Sequence, residues 1–212
     1  MSTMVFITHC WKKVQRRLDP RAWLLGALAL WFSVGTLASS VDLTDLRAER
    51  SDGALVLHTT LKLELGPAVE DALLKGVPVY FVAEAEVLRD RWYWYDRKIG
   101  SVARYYRLVY QPLTRRWRLN VSAEPISAAG LGGSISQSFD HLSDALDMVR
   151  RQSGWKLADL TELDSDARHN LNYRFRLDVA QLPRPFQIAA GSQADWSLSL
   201  SRNQRINLEP GR

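Results

Sequence analysis

Apolar and polar residues alternate along much of the chain after residue 40, and this alternation predicts half-buried antiparallel β-strands. It is clean over residues 55–65, where one side carries Leu55, Leu57, Thr59, Leu61, Leu63 and Leu65. It is equally regular over residues 170–180, where one side carries Leu171, Tyr173, Phe175, Leu177 and Val179. Turn-forming residues such as those at 51–53 separate such segments. Further strands are therefore predicted over residues 41–49, 77–88, 116–121 and 196–201.

Two segments carry the apolar spacing of helices instead. One covers residues 67–74, and its proline at the first position suits the first turn of a helix. The other covers residues 137–152, and Gly154 is expected to end it. Pro183 and Pro185 predict an extended or edge segment. About eight strands and two short helices predict a mainly β fold, an antiparallel β-sandwich of immunoglobulin-like or related type, with a barrel as the rival.

The stretch from residue 89 to residue 118 combines aromatic rings with an excess of positive charge. Nine arginine and lysine residues are interleaved with eight tryptophan and tyrosine residues, and only Asp90 and Asp96 oppose them. Its residue types predict strand, turn, strand, turn and strand, with a hairpin turn at residues 111–114. Arginine, tryptophan and tyrosine dominate binding hot spots, and arginine stacks on aromatic rings. The candidate binding residues are therefore Trp92, Trp94, Tyr95, Arg97, Arg104, Arg107, Arg116 and Arg118.

Residues 1–40 have the three parts of a secretory signal. A basic region comes first, an apolar run follows over residues 22–38, and small residues offer a cleavage site after Ala38 or Ser40. Two outcomes are open: the segment is cleaved as a signal peptide, or residues 22–38 remain as an anchor in the inner membrane. In both cases the positive-inside rule places the rest of the chain outside the cytoplasm. The sequence thus predicts one periplasmic domain over residues 41–212, either released or membrane-attached.

The net charge and the cysteine content each exclude a class of protein. The formal net charge is +5, but residues 1–38 supply four of these charges, and the remainder carries 23 basic and 22 acidic residues. A nucleic-acid-binding domain needs a basic surface, so no nucleic-acid partner is expected. The only cysteine, Cys10, lies in the basic N-terminal region, so the exported part has no disulfide and no thiolate chemistry.

Catalytic motifs are absent from the sequence of the exported part. Its three histidine residues, His58, His141 and His169, occur in no nucleophile motif and in no metal-binding spacing such as HExxH. Glu84 and Glu86 share one side of a predicted strand, but an outward glutamate pair is usually a solvated surface. The acidic segment at residues 161–169 is interpreted in the same way. We therefore expect a protein that is not an enzyme, with no catalytic residues, no metal site and no cofactor.

Five segments together suggest a family: RDRWYWYDRKI, YRLVYQPLTRRWRLNV, FDHLSDAL, YRFRLDVAQLPRPFQ and ADWSLSLS. With them the chain resembles, over residues 41–201, the bacterial proteins grouped as a domain of unknown function, number 4390. The resemblance implies an exported protein with an N-terminal signal. It also implies gene neighbourhoods that contain a membrane sensor kinase, and hence a role in the envelope or in signalling. It assigns no activity and no catalytic residue to any position.

The aromatic and basic stretch leaves three functional hypotheses open. In the leading one, an exported β-sandwich without enzymatic activity binds a protein partner of the envelope or membrane. In the second, the same face binds an anionic glycan, lipid headgroup or cell-wall fragment, since arginine binds carboxylate and phosphate while rings hold sugars. In the third, an unrecognised hydrolase brings His169 or His141 together with Asp164 or Asp166. Against all three stands a structural explanation, in which the rings fill one face of a twisted sheet and arginine stems cover the other.

Overall fold

The computed structural model describes residues 39–91, 95–126, 133–164, 167–191 and 193–206, so the predicted signal or anchor segment lies outside the described residues. The described chain forms nine strands: β1 (Ser40–Ser51), β2 (Ala54–Glu64), β3 (Val79–Arg89), β4 (Arg97–Gln111), β5 (Arg116–Ser122), β6 (Ile135–Phe139), β7 (Arg151–Asp159), β8 (His169–Leu177) and β9 (Ser199–Ile206). It also forms three helices: α1 (Pro67–Leu74), α2 (Leu142–Arg150) and α3 (Arg184–Ala190). Short 3₁₀ turns occur at Leu160–Glu162, Val179–Gln181 and Ala194–Trp196.

The strands form two antiparallel sheets that pack face to face. The smaller sheet has the order β1-β2-β7, and the larger sheet has the order β6-β5-β4-β3-β8-β9. Both sheets are open, so the described part of the chain has four edge strands: β1, β7, β6 and β9. The predicted antiparallel sandwich is therefore confirmed, and the closed alternative is excluded.

The β1–β2 hairpin shows how local sequence sets the pairing of the smaller sheet. Asp52 and Gly53 have φ angles of 50° and 73°, which are the left-handed values that a two-residue hairpin turn with the right twist requires. The turn fixes the register, with Ser51 opposite Ala54. The predicted alternation along β2 then sends its leucine residues into the core, where Leu55, Leu57, Leu61 and Leu63 are all buried.

The core lies between the two sheets and takes alternate residues from each strand. On β3 the buried series is Val79, Phe81, Ala83, Ala85 and Val87. The next strand in the sheet supplies the matching series Leu171, Tyr173, Phe175 and Leu177. Phe81 and Phe175 stack across these strands, with ring centroids 5.8 Å apart. Residues of the opposite parity face away from the core, as the period of two requires.

β7 crosses β4 with almost no space between the main chains at Gly100. A Cβ atom placed on Gly100 would lie 2.0 Å from the carbonyl oxygen of Leu157. Four residues along β4, the guanidinium carbon of Arg104 lies 5.7 Å from the ring centroid of Trp155 on β7. A glycine and a cation–π contact thus join the two sheets at this crossing.

The helices cover the parts of the core that the smaller sheet leaves open. α1 packs through Val69, Ala72 and Leu73, and α2 packs through Ala145, Leu146 and Val149. The N-terminus of α1 is capped from a distant part of the chain, because the Asp195 carboxylate accepts a hydrogen bond of 3.0 Å from the Ala68 amide. This contact satisfies one of the free amide groups of the first turn.

A buried polar network connects α2, β7 and β8. The Tyr173 hydroxyl donates to Oε1 of Gln152 at 2.9 Å, and Nε2 of Gln152 donates to the Val149 carbonyl at 3.0 Å. Burial raises the pKa of Tyr173 far above its ordinary value, so the phenol stays protonated and acts as the donor.

The predicted helix over residues 137–152 is wrong at both ends. Its first residues belong to β6, and β7 begins at Arg151 directly after α2. Gly154 does not end the helix. It lies inside β7 with a φ of 72°, beside an irregularity in the pairing with β2. The apolar residues at the ends of this segment happen to fit helical spacing, although they belong to strands that are too short to show a clear alternation of their own.

The C-terminal region also differs from the prediction. Pro183 and Pro185 do not impose an extended segment, because α3 begins between them. The first turn of a helix has no internal acceptor for its amide groups, so proline costs nothing there. The last strand occupies Ser199–Ile206, and Trp196 lies in a 3₁₀ turn before it.

Candidate binding site

The larger sheet has one face against the core and one face away from it, which we call the outer face. Side chains alternate between the two faces along each strand. On β3 the residues of the outer face are Tyr80, Val82, Glu84 and Glu86. On β5 they are Arg116, Arg118, Asn120 and Ser122. The outer face is the opposite side of the sheet from the core-facing residues described above, and the same strand register defines both.

Three of the predicted binding residues lie together on the outer face: Arg107, Arg116 and Arg118. Arg104 lies on the opposite side of β4, where it faces Trp155 of the smaller sheet. There Arg104 helps to hold the two sheets together, and it does not belong to the same surface as the other three.

Two of the remaining predicted residues, Tyr95 and Arg97, lie at the beginning of β4 and just before it. Tyr95 is 89% exposed, and Arg97 is exposed at the beginning of the strand. Trp92 and Trp94 lie outside the described residues. The described members of the predicted set are therefore divided among an outer-face group, a contact between the sheets and the exposed beginning of β4.

Acidic side chains neutralise the outer face over β3 and β8. Glu84 lies 3.9 Å from Arg174 and 3.7 Å from Arg176, measured between carboxylate oxygens and guanidinium nitrogens. Glu86 lies 3.0 Å from the ammonium group of Lys98. Such surface pairs contribute little to stability. They do cancel the charge of this half of the face. Glu84 and Glu86, which the sequence analysis interpreted as a solvated pair, each have a cationic partner here.

Arg107 and Arg118, on the other half of the face, have no acidic partner among the described residues. Nε of Arg107 donates a hydrogen bond of 3.3 Å to the Tyr80 hydroxyl, which is a neutral group. Nε of Arg118 is buried and has no hydrogen-bond partner. Arg116 differs from both, because it pairs with Asp140 at 3.0 Å near the edge of the sheet. Two uncompensated cations therefore lie diagonally across from each other on β4 and β5.

Asn120 lies between these two arginine residues. It is directly opposite Arg107 on β4, and it follows Arg118 by two positions on the same face of β5. It has no exposed surface, and neither Nδ2 nor Oδ1 of its side chain has a hydrogen-bond partner. An amide left unpaired in this way costs about 1–3 kcal/mol. We call Arg107, Arg118 and Asn120 the arginine–asparagine cluster.

His169 faces the core at the beginning of β8 and has no exposed surface. Burial lowers its pKa, an effect that the Ala167 backbone partly opposes, while Arg89 lowers the pKa further and Asp164 and Asp90 raise it. Neither ring nitrogen makes a hydrogen bond of normal geometry. Asp164 lies 2.9 Å from Arg89 in an ion pair. The histidine and the aspartate of the hydrolase hypothesis are thus neighbours, but the imidazole is out of contact with solvent.

The other residues of that hypothesis are dispersed. His141 is exposed immediately before α2, and Asp166 lies outside the described residues. Over the described ranges, no three histidine, cysteine, aspartate or glutamate side chains converge as a metal site. No helix in those ranges combines the length and the hydropathy that a membrane crossing requires.

A separate cleft of about 370 Å³ opens between the edge strands β1 and β9. Its walls come from residues 42–46 of β1 and from β9 residues within 200–204, and no predicted binding residue lines it. β1 contains a bulge here, between Leu43 and Asp45. The hydroxyl of Thr59 on β2 donates to the Asp45 carbonyl at 3.0 Å and holds the bulge in place. The cleft lies where the bulged edge strand β1 meets the edge strand β9.

A family model described as Domain of unknown function (DUF4390) matches residues 38–206 of the chain. The matched part contains both sheets, the three helices and the arginine–asparagine cluster. No curated protein and no solved structure matches the chain. The sequence motifs and the family model agree on the same assignment. The chain belongs to the family defined by this domain of unknown function, number 4390.

Proposed function

We propose that this protein is a binding domain of the cell envelope, without enzymatic activity, whose outer face docks a protein partner. The observation that carries the proposal is the unequal charge of that face. Over β3 and β8 the cations are paired with Glu84 and Glu86. Arg107 and Arg118 have no acidic partner in the described part of the chain. An uncompensated pair of cations is complementary to an acidic surface on another molecule.

The surroundings of these two arginine residues suit a protein interface. A guanidinium group is always charged, donates through a planar fork and stacks on rings. Tyr80 lies opposite Arg107, and Tyr105 lies two positions before it on the same face. Tyr80 and Val82 are buried although they face away from the core. The part of the face that a partner can reach is therefore formed by half-buried side chains, namely Tyr105 and the two arginine residues, and interfaces are enriched in tyrosine and arginine.

The envelope location is supported by the composition of residues 1–40. The basic region and the apolar run over residues 22–38 are the elements of an export signal or of a membrane anchor. The absence of cysteine after Cys10 also means that the exported part needs no oxidation to fold.

The test is crosslinking on intact cell envelopes with the tagged full-length chain as bait. The test variant carries Arg107→Ser and Arg118→Ser. The matched control carries Arg174→Ser and Arg176→Ser, which removes two charges from the neutralised half of the same face. We expect the native chain and the control to capture one partner, and the test variant to capture at least tenfold less of it.

Two results would overturn the proposal. Equal capture of the same partner by all three baits would show that the outer-face arginine residues do not bind it. If none of the three baits captures a protein, the proposal that this domain docks a protein partner is wrong. Circular dichroism of each variant checks that the fold is intact before the baits are compared.

A second candidate function is binding of an anionic glycan, lipid headgroup or cell-wall fragment in the loop before β4. The observation in its favour is Tyr95, a ring that is 89% exposed next to the exposed Arg97. An exposed ring beside a cation suits a sugar acid or a headgroup. Binding to anionic vesicles, but not to neutral ones, that is lost in Tyr95→Ala with Arg97→Ser would support this function. Equal binding by that variant would exclude it.

A further inference from the structure

We infer that the arginine–asparagine cluster is the receptor for one carboxylate side chain and the adjacent main chain of an acidic segment in the partner. The inference rests on the proposed docking function and states the chemistry of its central contact. It starts from Asn120, whose unpaired and fully buried side chain has no explanation within the described chain.

The register brings the three side chains of the cluster together. Asn120 and Arg107 are direct cross-strand partners, and Arg118 is two positions from Asn120 on the same face. Cβ atoms of directly opposed residues lie about 5 Å apart, and diagonal neighbours lie about 7–8 Å apart. One group of carboxylate size therefore reaches donors from all three residues at once.

The presence of an unpaired amide at position 120 argues for a ligand. A buried amide without partners lowers stability, and an apolar residue of the same size would avoid this loss. Proteins keep such locally unfavourable groups where function requires them. The nearest side chains on the outer face, those of Arg107 and of Ser136 on β6, leave both atoms of the Asn120 amide unpaired.

The three unpaired atoms of the cluster also select the class of ligand. Nδ2 of Asn120 and Nε of Arg118 are donors and need an acceptor, which a carboxylate supplies. Oδ1 of Asn120 is an acceptor and needs a donor, which a main-chain N–H next to the acidic residue supplies. A phosphodiester offers acceptors alone and would leave Oδ1 unpaired. The cluster therefore fits an acidic peptide segment better than an anionic headgroup.

Asn120 has no exposed surface, so a ligand reaches its amide only if neighbouring side chains move. Arg107 and Arg118 are half-buried, and both are long and unbranched. Rotamer changes of such side chains take nanoseconds or less where they are exposed. The inference therefore requires that a carboxylate draw the two guanidinium groups outward and so open a path to Asn120.

The first measurement compares Asn120→Leu with Asn172→Leu in the full-length chain. Asn172 lies on the same face, on β8, and is half-buried. We expect Asn120→Leu to leave the urea midpoint of unfolding unchanged or higher while it abolishes capture of the partner. Asn172→Leu should leave capture unchanged. A clear fall in the urea midpoint for Asn120→Leu would make Asn120 a structural residue and overturn the inference.

The second measurement identifies the chemical group that the partner contributes. Arg118→Lys places an amine in the cluster, and a carbodiimide joins an amine to a carboxylate as an amide with loss of water. Arg174→Lys is the control on the neutralised half. On intact envelopes we expect position 118, but not position 174, to be joined to an aspartate or glutamate of the captured protein. A captured protein with no such link at position 118 would refute the carboxylate.

The outcomes separate the inference from the proposed function. If Asn120→Leu captures the partner normally while Arg107→Ser with Arg118→Ser does not, the outer face docks a partner and the carboxylate receptor is wrong. If the native chain captures nothing but binds anionic vesicles through the cluster, the ligand is a headgroup, and both proposals fail.

Discussion

Gly100→Ala should destabilise the fold strongly, because the added methyl group meets main-chain atoms of the other sheet. The new Cβ would lie 2.0 Å from the Leu157 carbonyl oxygen and 3.0 Å from the Cβ of Ala158. Non-bonded carbon atoms prefer separations of about 3.5–4.0 Å. The strands must therefore separate by roughly 1 Å or more at the crossing, or the main chain of β7 must shift at Leu157, which lies at an irregularity in the pairing with β2.

The expected loss follows from two opposing effects. Overpacking in a well-packed interior costs about 1–3 kcal/mol and sometimes more, and the rigid clash places Gly100→Ala at the upper end. Replacing glycine by alanine recovers about 0.4–1 kcal/mol by restricting the unfolded chain. The shift also weakens the burial of Trp155 and Leu157, which are both in the core. We expect a net decrease of about 3 kcal/mol in the free energy of unfolding.

Urea denaturation followed by circular dichroism measures this decrease. Gly133→Ala is the matched control, because nothing lies within 4 Å of a Cβ at that position. Its effect should stay within about 0.5 kcal/mol. A loss below about 1 kcal/mol for Gly100→Ala would show that the two sheets separate easily at this crossing, contrary to the packing described.

Three further outcomes are expected. Tyr173→Phe leaves Oε1 of Gln152 without its donor at 2.9 Å and should cost about 1–3 kcal/mol by urea denaturation, so a loss under about 0.5 kcal/mol would contradict the network. The pKa of His169 is lowered in the folded state, so the stability that this residue contributes is complete above pH 6.5 and falls as the pH drops below that value, by at most about 1.4 kcal/mol per pH unit. Unfolding between pH 7.5 and 5.5 should show this fall, and His169→Leu should reduce it; equal slopes would mean that other groups cause it. Residues 1–40 joined to a reporter enzyme that is active only outside the cytoplasm should give activity, and an inactive but stable fusion would refute export.

The strands were predictable wherever one face is buried and the other is not. β2 and β8 alternate strictly, and their buried faces are those that the alternation indicated. β7 was missed because Gly154 and a pairing irregularity break its alternation within nine residues. α3 was missed because two prolines were taken as evidence against a helix, although both precede or begin its first turn.

The positive charge of the proposed binding surface could be predicted from the sequence, but the residues that share that surface could be predicted only in part. Arg104 and Arg107 are three positions apart, and an odd spacing puts two residues on opposite faces of a strand. The sequence alone thus contained the reason to separate them. Nothing in the sequence marked Asn120 as unusual, because it alternates with Arg116 and Arg118 as an ordinary polar residue on the outer face of β5. Its importance comes from burial without partners, which depends on neighbouring strands that the sequence does not align.

The bulge in β1 bears on how the protein behaves when many copies are crowded together. A regular sheet edge is a template onto which another copy can add its own strand, and ordered fibrils grow in this way. The bulge interrupts the row of free main-chain groups near Asp45, and it twists the edge out of register with any straight strand. On the neighbouring edge, β9 presents Arg202 and Arg205 to an approaching copy. The protein is therefore protected against fibril growth at the edges where its two sheets end side by side.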